Sequence, residues 1–203
     1  MNKRVLVGCE ESQTITIAMR KIGIEAFSCD IIDCSGSHPE WHIEDDVLNH
    51  LNDGWDLLIV HPPCTYFSIV GNKWFNVEKY KEKAIERYKL REQALEFVKK
   101  LWNAPINKIC LENPVGYLNT HFLKPTQIIQ PYWFGDKESK RTCLWLKNLP
   151  PLKPTNIVKP TVYGYKKNGD PLYFTEYKTG NKTRSKTFPG IAEAMAEQWG
   201  KIL

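Results

Sequence analysis

The chain has 203 residues, 42% of them hydrophobic and 25% charged, with a formal net charge of +5. A single domain of that length buries about 70% of the surface its unfolded chain exposes, so it needs no disulfide or structural-metal staples. No apolar segment approaches membrane-spanning length, and the modest positive charge permits a nucleic-acid partner without requiring one.

VLVG (5–8) reads as a short buried strand that the chain enters at once, with no signal-peptide pattern before it. Ile15, Ala18, Met19 and Ile22 recur at helical spacing, with Gly23 as a stop. EAFSCD (25–30) is a second strand ending in an acid; after a turn-rich stretch from Ser35 to Pro39, the pattern predicts a short helix over about 45–52. DLLIV (56–60) is the next strand. A charged amphipathic helix covers 77–102, with Tyr80, Ala84, Tyr88, Leu95, Val98 and Trp102 near one face and Pro105 past its end. KICLEN (108–113) and TCLWL (142–146) are further strands. In YGYKKNGDPLYF (163–174) an Asn-Gly pair separates two aromatic runs, the signature of a β-hairpin. Pro189 to Trp199 closes the chain as a helix with Ala192, Met195, Ala196 and Trp199 on one side. Strand and helix alternate, which predicts an α/β fold: a mostly parallel sheet with helices on both faces, plus a small hairpin insertion.

Six cysteines stand at 9, 29, 34, 64, 110 and 143 without a CxxC pair, four of them inside apolar runs. That is the pattern of reduced, buried thiols and of a cytoplasmic protein. From Lys153 to Lys186 eight basic residues face only Asp170 and Glu176, interleaved with Tyr163, Tyr165, Tyr173, Phe174 and Tyr177. Such a stretch suits phosphates and stacked bases, and equally a solvated hairpin whose aromatics pack on the main domain.

After DLLIV comes HPPCTYFS (61–68). Two prolines fix the backbone and remove amide donors, so the strand stops and Cys64 sits on a stiff loop at its carboxyl end, the edge where open α/β sheets bind ligands. Glu112 and Asn113 end the following strand and can face Cys64 across that edge. A thiolate adds to an electron-poor ring or carbonyl, and a neighbouring carboxyl delivers a proton to the atom that gains charge. Lys140 or Arg141, before the next strand, supplies the positive field that activates a thiol. A buried cysteine beside a capping Glu-Asn-Pro turn explains the same residues without chemistry.

The first loop, GCEES (8–12), is not a phosphate loop: it lacks further glycines, and its carboxylates repel an anion. Gly8 lets a ligand approach the backbone, and the acids suit a ligand with hydroxyls or positive charge, although Glu10 and Glu11 also fit as first-turn helix acids. Asp30 stands where nucleotide-type sites hold ribose hydroxyls. HIE (42–44) followed by PCTYF (63–67) partly matches a zinc-deaminase signature, but Phe67 replaces the second ligating cysteine, which leaves a tetrahedral site short of ligands.

As an ordered set, these segments resemble the cytosine-C5 DNA methyltransferases. DLLIVHPPCTYFS resembles that family's Pro-Cys nucleophile motif, ICLENPVGYL its Glu-Asn motif one strand later, WFGDKESKRTCLWL its basic motif and TFPGIAEAMAEQW its closing motif. VLVGCEES, CDI and IEDDV fall where the family contacts the methionine, ribose and adenine of S-adenosylmethionine. The resemblance implies a Rossmann-like methyltransferase fold in one catalytic domain over 1–203, with 151–184 as a reduced target-recognition region. It implies S-adenosylmethionine bound near Gly8, Cys9, Glu10, Asp30, Ile31, Asp45, Asp46, Pro62 and Ser185. It implies Cys64 as nucleophile toward C6, Glu112 at N3, Asn113 as a positioning group, and Lys140 or Arg141 in the basic role. The partner implied is DNA, with a short target sequence or single-stranded, touched by Ser68, Lys166, Lys167, Lys182 and Arg184. A monomer without metal, of the compact kind that suits a phage genome, completes the expectation. Variants are the same fold acting on RNA or a free pyrimidine nucleotide, a modified sulfonium, or a non-catalytic nucleic-acid-binding relic.

Overall fold

The computed structural model describes residues 3–173 and 186–203; Lys182, Arg184 and Ser185 lie outside the described residues, as do Phe174 and Tyr177. In chain order the elements are β1 (Arg4–Gly8), α1 (Thr14–Lys21), β2 (Glu25–Asp30), β3 (His42–Glu44) and β4 (Leu57–Val60). Then come α2 (Val77–Tyr80), α3 (Glu82–Trp102), β5 (Lys108–Pro114), α4 (Leu118–His121), β6 (Gln127–Ile129) and β7 (Thr142–Lys147). β8 (Gly164–Tyr165), β9 (Pro171–Leu172) and α5 (Pro189–Trp199) complete the described chain.

Seven strands form one sheet in the order β3-β2-β1-β4-β5-β7-β6. β7 alone runs against the others, antiparallel to both β5 and β6. This order with a reversed β7 is the Rossmann-like methyltransferase fold. The strand order turns back between β1 and β4, so the crevice at their carboxyl ends is the ligand-binding edge of such a sheet.

Side-chain alternation explains the layers. Val5, Val7, Leu57 and Ile59 face a core completed by Ile15 and Met19 of α1 and by Ile191, Met195 and Trp199 of α5. Leu6, Leu58, Val60, Ile109 and Leu111 face the opposite core, with Val98 and Leu101 of α3 and with Trp145. Strands buried on both faces read as continuous apolar runs, which is why β1, β4 and β5 are legible in the sequence.

Three expectations change, and two strands are added. The helix expected near 45–52 is one 3-10 turn, Val47–His50, capped by the Asp46 side chain accepting from Leu48 N at 2.9 Å. The helix over 77–102 is broken at Lys81, whose φ of 46° lies in the left-handed region. Its inward face holds Arg91, which is buried, whereas Tyr88 is exposed. β3 and β6 did not show in the sequence, because three residues are too few for a period of two to register.

The described part of 151–184 divides in two. Residues 152–161 form a strap: Asn156 N donates to Trp133 O, Val158 N to Tyr132 O and Thr161 N to Lys137 O. The hairpin proper is β8 and β9, turning at Asn168 and Gly169, where φ is 87°. Among the described residues no helix is long and apolar enough to cross a membrane.

Candidate active site

Val60 of β4 is paired with Leu111 of β5. One residue further along, the same register sets His61 beside Glu112, and alternation turns both toward the α1–α5 face. His61 Nδ1 lies 2.9 Å from Glu112 Oε2, with the side chains only 9% and 15% exposed. Asn113, next on β5, turns to the other face. Its Nδ2 donates to the carbonyl of Pro62 at 2.7 Å and so ties the end of β5 to the loop that carries Cys64.

That loop is held from three sides. Cys64–Tyr66 is a 3-10 turn, and the Cys64 carbonyl accepts from Phe67 N and Ser68 N, each at 3.0 Å. From α3, Arg87 donates to Thr65 O at 2.6 Å and Arg91 to Tyr66 O at 2.8 Å. Arg91 also reaches Asn72 Oδ1 at 3.1 Å, with its guanidinium 3.3 Å from the centre of the Phe75 ring. From the β5 side, Tyr117 N donates to Phe67 O at 2.8 Å. Gly116 is required there, because a Cβ would stand 2.0 Å from Phe67 O. Arg91→Ala removes the charged donor from the part-buried Tyr66 carbonyl and the buried packing on Phe75, so urea unfolding is expected to show a loss of about 1–3 kcal/mol. A loss below about 0.5 kcal/mol contradicts the clamp.

Burial sorts the cysteines. Desolvation raises the thiols of Cys9, Cys29, Cys110 and Cys143 above their ordinary range, Cys29 to about 12, and so keeps them protonated. Cys64 is exposed. Burial alone would raise Glu112, but the hydrogen bond from His61 and the charge of Lys140 outweigh it and hold the carboxyl below its usual range. The basic position whose charge reaches Glu112 is therefore Lys140; Arg141, more exposed, lines the same cleft.

That cleft has a volume of about 1510 Å³ and runs from Cys9–Ser12 and Asp30, past His61–Cys64, to Glu112–Val115, Ser139–Arg141, Tyr173 and Lys186. It exceeds the roughly 300–1,000 Å³ of a pocket for one small ligand. Ser68, Ile69, Val70, Trp74, Tyr80, Lys83 and Arg87 form a wall beside Cys64 that joins apolar, aromatic and cationic groups. A depression of about 530 Å³ along α3 shares no lining residue with the cleft and holds no nucleophile.

The structure brings Cys9, Glu10, Asp30, Pro62, Cys64, Ser68, Glu112, Asn113, Lys140 and Arg141 to this one cleft. It corrects others. Gly8 is a packing glycine: a Cβ there would meet Val47 Cγ2 at 2.7 Å, and Gly8 does not line the cleft. Glu10 is buried, and its oxygens accept from Ile15 N at 2.7 Å and from Thr16 Oγ1 at 2.9 Å, so it anchors the start of α1 rather than offering a free carboxylate. Burial raises its pKa despite the charge of His61 and these hydrogen bonds. Ile31 is 73% exposed and off the cleft. Asp45 and Asp46 serve their own turn, Asp45 accepting from Asp46 N at 2.7 Å and Asn49 Nδ2 at 3.1 Å. Lys166 and Lys167 are exposed on the hairpin, away from the cleft lining. His42 lies on β3, with Nδ1 on Ser28 Oγ and Nε2 on the Ile32 carbonyl. Among the described residues no three His, Cys, Asp or Glu side chains group as a metal site.

Sequence reasoning missed His61, Arg87 and Arg91. The two arginines, four apart within an amphipathic helix, were visible as a pair on one helical face. His61 stood in the quoted motif, but only the strand register gives it a partner.

No protein-family model and no curated protein matches the chain. Among solved structures it is similar to a protein assigned as a DNA modification methyltransferase encoded within a prophage of E. coli, at 14% identity and a TM-score of 0.47. The likeness covers 82% of this chain and 56% of that one, so the chain spans little more than half the length of that structure.

Proposed function

We propose that the protein transfers a methyl group from S-adenosylmethionine to C5 of cytosine in DNA through a covalent bond between Cys64 and C6. The observation that carries this reading is the placement of Cys64, Glu112 and Asn113 at one edge of adjacent strands. The exposed thiol and the buried carboxyl share the cleft, and the Asn113–Pro62 bond fixes the loop between them. A binding relic has no need of that geometry.

The near end of the cleft fits the cofactor by its donor set. Asp30 closes β2 there with Glu11, Ser12 and Asp33 beside it, carboxylates and hydroxyls suited to a ribose and a positive charge and unsuited to phosphate. Burial raises Asp30 while the amides of Ile31 and Ile32 draw it down, which orients the carboxylate at the strand end. The cofactor supplies an electrophilic methyl group.

The residues of the chain supply the rest. C5 of cytosine is too weak a nucleophile to react unaided. Bonding of the Cys64 sulfur to C6, with a proton delivered at N3 through Glu112, gives C5 enamine character. General acid help of this kind is worth about 10²- to 10⁴-fold. Asn113 holds the Pro62 carbonyl and with it the approach of Cys64, while Arg87 and Arg91 keep the turn behind the sulfur in place. In duplex DNA the base must leave the stack, at a cost of roughly a few kcal/mol. The wall from Ile69 to Arg87 offers apolar and aromatic surface to the unstacked strand, with Lys83 and Arg87 for phosphates.

The hairpin gives a separate expectation. Reversing Lys166 and Lys167 to Glu weakens DNA binding and lowers the slope of log affinity against log salt by about one per lysine. An unchanged slope takes the hairpin out of the phosphate contacts. The reading itself is tested by incubating the protein with methyl-labelled S-adenosylmethionine and single- or double-stranded DNA, digesting to nucleosides and separating them by mass. Labelled 5-methylcytosine is expected. Label in RNA or free nucleotide instead, with none in DNA, rejects the assigned substrate.

A further inference from the structure

Between the Cys64 turn and α3, the chain turns its anchors inward and its apolar bulk outward. Within the 3-10 segment Ile69–Phe75, Gly71 and Phe75 are buried. Gly71 N donates to Ser68 O at 3.0 Å, and the Phe75 ring meets Tyr88 edge-on with centroids 4.9 Å apart. Ile69, Val70 and Trp74, by contrast, are 61%, 57% and 45% exposed. They line the cleft with Cys64 and belong to neither core. Exposed apolar surface gathered beside a reactive group marks a place where a partner sits.

The aromatic part of this surface is a pair. Tyr80, the last residue of α2, sets its ring centroid 5.0 Å from that of Trp74, with the planes 47° apart. Two local devices bring it there. The Asn76 side chain accepts from Lys79 N at 2.8 Å and so starts α2 directly after Phe75. Lys81 then stops it with a φ of 46°, a left-handed conformation unfavourable to lysine, and α2 does not run on into α3. Charge follows the same surface. Lys73 Nζ lies 5.1 Å from the centre of the Trp74 ring system and Lys79 Nζ 5.4 Å from that of Tyr80. From Asn72 to Arg91 seven Lys or Arg residues stand against three Glu, so most of the net charge of +5 lies on the segment that carries this wall. The partner that fits is anionic and presents flat apolar faces, as a nucleic-acid strand does.

We propose that Trp74 and Tyr80 are a stacking platform for the bases next to the target cytosine, and that the substrate is single-stranded DNA. The proposal rests on the transfer reading above for that cytosine. In a duplex both faces of each base are covered by its neighbours, and an aromatic side chain finds a free face only where the stack is broken. In a single strand each base has a face to offer, and the cost of extrusion falls away. Ile69 and Val70, between the Cys64 turn and Trp74 in the chain, continue the apolar surface. Lys73, Lys79, Lys83 and Arg87 meet the phosphates of the stacked strand.

The test is binding, read by fluorescence anisotropy at fixed salt and without cofactor. The probes are a labelled mixed-sequence oligonucleotide with one cytosine, the same strand annealed to its complement, and the single strand with abasic sites on both sides of the cytosine. Wild type is expected to bind the single strand about 10-fold tighter than the duplex. Trp74→Ala is expected to lose about 10-fold on the single strand, the scale of one base stack. Trp74→Phe keeps a ring and recovers most of that loss, and wild type and W74A bind the abasic strand alike. A thermal melt accompanies each variant, with Tyr80→Ala as the second should W74A fail to fold. Wild type that binds duplex as tightly as single strand overturns the proposal, as does a folded W74A with wild-type affinity for the single strand. A wild-type dimer in sedimentation that W74A dissociates also overturns it, because a second copy of the chain then covers the patch. Trp74-dependent binding by a protein that methylates no cytosine upholds the platform and defeats the transfer reading, so the two fail separately.

Discussion

Cys64→Ala lowers methyl transfer by about 10⁴-fold or more, the scale expected when a covalent nucleophile is removed. The same variant keeps its cofactor affinity, since the near end of the cleft, from Cys9 to Asp30, does not include the thiol. It also keeps its fold: Cys64 is exposed, and truncation of an exposed side chain costs about 0.5 kcal/mol or less. The bonds from Arg87, Arg91, Phe67 and Ser68 that hold the loop all end on backbone carbonyls, which the variant keeps. A variant that binds cofactor, melts with the wild type and still transfers removes Cys64 from the chemistry. Calorimetry with cofactor beside a single-turnover assay distinguishes these outcomes. None of the other five cysteines is placed to take over: Cys29, Cys110 and Cys143 are buried, desolvation holds these three and Cys9 as thiols, and Cys34 does not line the cleft.

Glu112→Gln is the second large effect. Glutamine keeps size and hydrogen bonding but cannot pass a proton, so kcat falls by about 10²- to 10⁴-fold with KM little changed. The variant also reports on stability. The folded-state pKa of Glu112 is depressed, because the His61 bond and the Lys140 charge outweigh the burial that would raise it. A depressed carboxylate contributes its full stability above the unfolded value of about 4.3 and loses it as pH falls through the lower folded value. Wild type therefore loses stability over that acid range relative to E112Q, and melts taken from neutral to acid pH show the two curves converging. Parallel curves contradict the ionised, paired carboxyl.

Much of the fold was legible in the sequence because its central strands are buried on both faces. VLVG, DLLIV and KICLEN announce themselves as unbroken apolar runs, and their order already sets Cys64 and Glu112 at one edge. The edge strands β3 and β6 were not legible, being three residues each and set by neighbours rather than by a pattern of their own. Residue type and strand end together set Cys64, Glu112, Asn113 and Asp30 at the sheet edge, and the structure brings all four to one cleft. Local bonds were not legible: the carboxylate of Glu10 accepts at the start of α1, that of Asp46 caps a 3-10 turn, and the bare Cα of Gly8 packs on Val47. His61 and Arg91 needed the third dimension. A histidine after a strand and an arginine within a helix have no fixed meaning until register and packing supply their partners.

The most direct test of the central claim uses DNA in which 5-fluorocytosine replaces cytosine. Thiol addition and methyl transfer proceed on that ring, but fluorine cannot leave C5 as a cation, so elimination stalls with C6 still bonded to sulfur. With S-adenosylmethionine present, the account predicts a covalent protein–DNA species whose digest locates the modified pyrimidine on the peptide containing Cys64, and none with Cys64→Ala. Methylation of ordinary cytosine by a wild-type protein that forms no such species contradicts the account.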